Sequence, residues 1–151
     1  MHDGFANGGG AYIAKRSCAA LIDYGLCSAV LSVYFALFGK VNASGGYEVQ
    51  GCLHMLALAA IWILMLPLPE LLWGRGIGKG IFGLRVAPLN DLNATPSAQA
   101  VVKRHVTALF EMGMCGGILP LLVILSSEKR QRLGDQWAQT TVVDENDPIL
   151  T

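Results

Sequence analysis

Asp23 is the residue with the most chemistry to offer. It is the single charge in an apolar run covering residues 17–38. A carboxylate at that depth costs about 2.5–3.5 kcal/mol on insertion scales, so something must offset it. Arg16 lies two helical turns earlier on the same face, about 10 Å away along the axis. That is too far for a direct ion pair, so the two bracket a polar partner from another helix or from the C-terminal segment. Two readings stand: a proton or cation site inside a bundle, or a buried ionic network that fixes helix register. Glu70 is the second acid, in Pro67-Leu68-Pro69-Glu70. Each proline lacks an amide proton, which frees the carbonyls of Ile63 and Met65. Freed carbonyls beside an acid are the broken-helix arrangement that holds ions in transporters. The competing and favoured reading is a kink near the interface with Glu70 in water, because Trp73 follows closely.

Other chemistries fail on context. Trp73 and Gly80 occupy positions where a Walker loop around Gly74–Lys79 needs Gly and Ser/Thr. Gly78, Gly80 and Gly83 match G-x-G-x-x-G, but they follow an apolar helix and precede a strand, the reverse of a dinucleotide site. Cys18, Cys27, Cys52 and Cys115 are far apart and have no zinc spacing, and they read as small buried residues. His2, His54 and His105 share no neighbourhood, and His54 reads as an outer-edge polar residue. No metal site, cofactor or catalytic set is expected, and the chain is not read as an enzyme. Eleven basic residues balance eleven acidic ones, which removes the electrostatic case for nucleic acid.

The elements that must position Asp23 and Glu70 are membrane helices. Hydrophobic residues make up 53% of the chain and charged ones 15%, against roughly 25% charged in soluble domains. Residues 17–38 would form a helix of about 33 Å, long enough to cross a bilayer. A signal peptide has a shorter apolar region without a central acid, so the run reads as a retained span. Residues 52–73 form a second span, with His54 near its start. A third apolar segment, 106–126, contains Glu111, Gly113-Met114-Cys115-Gly116-Gly117 and Pro120, which interrupt a helix. Ser28, Ser32 and Ala36 recur every four residues and give the first span a small face for close helix contact.

Basic residues orient the chain. Lys40 is the one in the 39–51 connection; the others flank the spans on the opposite side. The positive-inside rule then places the N-terminus and residues 74–105 in the cytoplasm. A third full span would put Lys129, Arg130 and Arg132 outside, whereas a re-entrant hairpin over 106–126 returns them inside. The hairpin is the reading carried forward. Residues 81–86 and 140–143 read as strands that pair as a small cytoplasmic β-ribbon. Between them, Ser97 caps a helix with Ala98, Val101, Val102, His105 and Val106 on one side and Lys103 and Arg104 towards lipid headgroups. Residues 144–151 read as a flexible tail.

Three stretches resemble the RDD family of membrane proteins, named for one arginine and two aspartates. They are Tyr12–Asp23, Gly76–Val86 and Arg130–Val143, in the family's order across residues 12–143. By that resemblance Arg16, Asp23 and Asp135 are the name-giving residues. Two departures occur: Gly134 stands where the family often has His, and Gly76-Ile77 replaces a polar pair. The resemblance implies an integral protein of the bacterial inner membrane, with transport suggested for some members. The residue reading adds that Asp135, just after the basic cluster, approaches Arg16 as a latch if both lie on the cytoplasmic face, with charge-swap rescue of the pair as its test.

The expected protein is therefore an α-helical membrane protein with two transmembrane helices, a third helical or re-entrant segment and a small β-ribbon. Its site residues are Arg16, Asp23, Asp135 and Glu70. Its partners are the lipid bilayer and either further copies or another membrane protein, because two spans cannot enclose a pathway. One class of function is ion/proton-coupled or small-ligand transport; the other is a non-enzymatic accessory or assembly role. A reporter active only in the cytoplasm, fused after Thr151, is expected to be active, and a silent reporter selects the third full span.

Overall fold

A computed structural model describes the backbone of residues 9–115 and 131–145, and the side chains of 10–111 and 131–145. Helix α1 (Gly9–Phe38) runs unbroken through Asp23. A short hairpin of β1 (Lys40–Val41) and β2 (Tyr47–Glu48) turns the chain back. Asn42 shapes that turn by accepting the backbone N–H groups of Ser44 and Gly46 through its side-chain oxygen, at 3.1 and 2.9 Å. Helix α2 (Cys52–Met65) follows beside α1. The Tyr34 hydroxyl and His54 Nδ1, 2.7 Å apart, join the two helices at this end of the molecule.

The helix expected over 52–73 bends at Leu66 and continues as α3 (Pro67–Trp73). Pro67 and Pro69 cause the break, because neither donates a backbone hydrogen bond. Gly74 then ends α3 in the left-handed region at φ 68°, where glycine carries no Cβ penalty. Its N–H bonds Glu70 O, and its carbonyl accepts Val86 N–H at 2.7 Å. This one glycine therefore ties the kinked helix to the strand that follows.

Gly10–Phe38 and Cys52–Trp73 are each long and apolar enough to cross a membrane. Only 11% of either apolar window is buried within the chain. A core helix of a soluble protein would be mostly covered. Here Leu21, Val33, Leu37, Leu53, Leu56 and Leu64 are all exposed. Lipid is the medium that such a surface fits.

The ribbon forms, with a shifted start. Ile81 ends a short helix α4 (Ile77–Ile81), and β3 begins at Leu84 and runs to Pro88. It pairs antiparallel with β4 (Thr140–Asp144), with Val86 opposite Val142. Leu84, Val86 and Val142 pack on Ala19 of α1, with Tyr12 and Phe82 at the margin. The Tyr12 hydroxyl donates to Val142 O at 2.5 Å, and Lys15 pairs with Asp144 at 2.6 Å. Asp144 and Glu145, expected within the flexible tail, are therefore held; Glu145 N–H also donates to Gly83 O at 2.8 Å.

Helix α5 (Ala98–Cys115) starts where Ser97 was expected to cap it, with Ser97 Oγ accepting Ala100 N–H at 3.3 Å. It runs through residue 106 without a boundary. The remainder of the third apolar segment, including Gly116, Gly117, Pro120, Lys129 and Arg130, lies outside the described residues, as do residues 146–151. The chain reappears in α6 (Leu133–Ala138) and then β4. Two expectations are overturned. Cys18 and Cys52 are exposed, not buried, because they lie on the outer faces of α1 and α2; Cys27 is buried. The α5 face is turned in part: Val101 and His105 are buried together, but Val102 and Val106 point outward and Arg104 is buried.

Amide exchange tests the ribbon. Residues 84–88 and 140–144 should exchange much more slowly than a free peptide, and peptide-like rates there would contradict the pairing.

Candidate functional site

The buried ions form a ladder across five helices. Lys79 Nζ of α4 meets Glu70 Oε2 of α3 at 2.5 Å. Glu70 Oε1 accepts Arg104 Nε of α5 at 2.7 Å. Arg104 Nη1 reaches Asp135 Oδ1 of α6 and also donates to Thr140 Oγ1 of β4, the latter at 2.8 Å. Asp135 Oδ2 closes the ladder on Arg16 Nη2 of α1 at 2.7 Å. Cations and anions alternate along its length. Glu70, Arg104 and Asp135 are 1%, 2% and 0% exposed, so water does little to screen them.

Each rung follows from a local feature. The bend at Leu66 turns α3 so that Glu70 faces inward. The reading of Glu70 as solvated is therefore wrong, because the kink redirects the side chain although Trp73 close by is exposed. Asp135 occupies the third position of α6 and accepts Arg132 N–H at 3.0 Å, the return half of a capping box. A Cβ on Gly134 would lie 3.2 Å from Arg104 O, so this glycine lets α6 sit close against α5.

Asp23 occupies a separate niche. Its Oδ1 accepts Gly78 N–H of α4 at 2.7 Å. A Cβ on Gly78 would lie 2.2 Å from Ala19 O, and one on Gly76 would lie 2.7 Å from the Asp23 carboxylate. The glycines thus serve close packing of α4 on α1. Lys79, next to Gly78, carries the connection onward to Glu70. Arg16 and Asp23 do not pair with each other; each takes a partner from elsewhere, as their spacing required.

Among the four site residues read from sequence, Arg16 and Asp135 touch, Glu70 joins them through Arg104, and Asp23 holds α4. Sequence reasoning missed Arg104, Lys79 and Thr140. The signal for Arg104 was present. Arg104, Thr107, Ala108 and Glu111 share a face at helical spacing, while Val102, Val106, Leu109 and Phe110 occupy the other. In water the apolar face would be buried; here the polar face is.

Asp135 has a depressed pKa. Burial alone raises it, but Arg104, Arg132 and Arg16 outweigh that and hold the carboxyl well below the usual carboxylate range. Burial pulls the Lys79 ammonium down, with Glu70 opposing. Among the described residues, Arg104 Nη2, both ring nitrogens of His105 and Glu111 Oε1 are buried without a hydrogen-bond partner. His105 lies edge-on to Trp62, with its Nε2 3.8 Å from Glu70 Oε1. No metal-binding cluster occurs among the described residues.

An ionic interior inside an apolar, lipid-compatible exterior defines a helical integral membrane protein. The sequence profile of the RDD family matches residues 11–139. The chain belongs to that family. No curated protein and no solved structure matches it.

Four outcomes follow. Gly78→Ala should displace α4 and lower folded yield, whereas Gly80→Ala, whose Cβ would meet only Arg75 Cδ at 3.8 Å, should be tolerated; equal yields would contradict the close packing. Asp135→Asn should cost about 3–5 kcal/mol by stranding buried arginines, and more than Arg16→Gln, which leaves Asp135 with Arg104. Charge swapping of Arg16 and Asp135 should fail to rescue, because an arginine at 135 would face Arg104. A depressed carboxylate pKa contributes stability above its unfolded value, about 3.9, and loses it as pH falls through the folded value. The share of stability supplied by Asp135 should therefore hold from neutral pH to about 5 and decline below about 4. That decline should be absent in Asp135→Asn, as read by thermal unfolding in detergent.

Proposed function

We propose that this RDD-family protein is a non-enzymatic component of a membrane assembly, docking a partner or further copies of itself, and does not form a pathway alone. The observation that carries this reading is the occupancy of its acids. Asp23, Glu70 and Asp135 are each engaged by fixed donors. A carrier site needs a carboxylate that can release its partner and take up an ion. The ladder is better suited to holding five helices in one arrangement, the register role that buried ion pairs can serve. Ser28, Ser32 and Ala36 are exposed on α1, and that small face offers a close contact to a second transmembrane helix.

Ion/proton-coupled or small-ligand transport by an oligomer is the second reading. Glu111 and His105 favour it, since both are buried with polar atoms unpartnered among the described residues. Intramembrane ionisable groups of that kind are where proton relays are found. In either case the protein resides in the bacterial inner membrane, with its N-terminus and the β-ribbon on the cytoplasmic side. The distribution of Lys and Arg supports that orientation.

Gentle extraction followed by native mass measurement tests the first reading. One stoichiometric partner or a defined homo-oligomer, with no ion flux in proteoliposomes, is the expected result. Flux that survives in the unsubstituted protein and is lost in Glu111→Gln or His105→Gln would overturn it in favour of transport.

A further inference from the structure

We propose that Lys103 and Trp137 form a headgroup site for an anionic phospholipid at the membrane surface. The proposal does not depend on the assembly role. The side chains around the pair face outward. Leu133 and Trp137, four residues apart on α6, are 50% and 56% exposed. Beside them, α5 exposes Val102, Val106 and Phe110 at successive four-residue intervals. Lys103 emerges between these two apolar rows, with its Nζ 5.7 Å from the centre of the Trp137 ring.

Lys103 differs from the ion-paired cations among the described residues. Lys15 meets Asp144, Arg75 and Arg85 meet Glu145, Lys79 meets Glu70, and Arg16 and Arg104 meet Asp135. Lys103 meets an aromatic face instead, which holds the ammonium without neutralising it. Two arguments select the occupant. The apolar rows share the character of the exposed surfaces of α1 and α2, which fit lipid chains, so the occupant must present chains too. Among the described residues Lys103 pairs with no carboxylate, and its positive charge at the edge of those rows selects a negative headgroup. An amphipathic ring with a basic side chain above it is the arrangement expected at headgroup depth. An anionic phospholipid satisfies both conditions, whereas a soluble anion satisfies only the second.

The test uses the full chain with Trp137 as its single tryptophan, made by Trp62→Phe and Trp73→Phe. The protein is reconstituted in mixed phosphatidylcholine and phosphatidylglycerol vesicles. Bromine, a short-range quencher, is carried near the headgroup by one lipid or the other at equal mole fraction. The expected result is quenching from both, with the phosphatidylglycerol contribution enriched about fivefold, the weight of one basic residue beside an anionic surface. Lys103→Gln should abolish the enrichment and Lys103→Arg should keep it, and neither change touches the ladder. Added inorganic phosphate should leave the enrichment in place. The proposal is overturned by equal quenching from both lipids, by absence of quenching, by enrichment that survives Lys103→Gln, or by loss of enrichment to phosphate.

Discussion

Arg104 is the constraint on which the rest of the structure depends. Its guanidinium is planar and permanently charged, with five donors in a fixed fork. Burying it without acceptors would cost several kcal/mol. Glu70, Asp135 and Thr140 supply those acceptors from α3, α6 and β4. α3 is far in sequence from the adjoining α6 and β4, so one side chain fixes the kinked helix to the short C-terminal helix and the ribbon at once. Asp135 then passes the constraint to α1 through Arg16, and Glu70 passes it to α4 through Lys79. Asp23 supplies a second tie between α1 and α4 by a route that needs no cation.

This arrangement inverts the rule for soluble proteins, and the inversion explains the glycines. An ionic ladder works only if the charged groups sit within hydrogen-bond distance, and that requires backbones to approach closely. Gly78 lets α4 approach α1 at Ala19, and Gly134 lets α6 approach α5 at Arg104. In each case a side chain would push the element away from its ionic partner. The Gly134 and Gly76 departures from the family pattern are therefore accommodated by space: at both positions the neighbouring element occupies the room a Cβ would need.

Much of the fold was legible in the sequence because membrane spans and turn residues act locally. The two spans, the break before Pro67, the Ser97 cap and the pairing of two short strands all follow from composition and spacing. The contact between Arg16 and Asp135 was also foreseen, from placing both residues on the cytoplasmic face. The ladder was less accessible. Arg104 was assigned to headgroups because its helix was read as amphipathic at the membrane surface, with both adjacent cations on the polar side. Glu70 was assigned to water because Trp73 follows closely, and the kink was expected without the inward turn it gives this side chain. Both errors come from tertiary context: the bend at Leu66 and the apolar surroundings of α5 decide which way those side chains point.

The central claim is that Arg104 and Asp135 are coupled and together organise the bundle. A double-mutant cycle on Arg104→Met and Asp135→Leu, read as unfolding free energy in a bilayer-mimicking detergent, tests it most directly. Each single change strands a buried charge, so the double variant should be more stable than the sum of the two predicts, by about 1–3 kcal/mol. Simple additivity of the two changes would contradict the account.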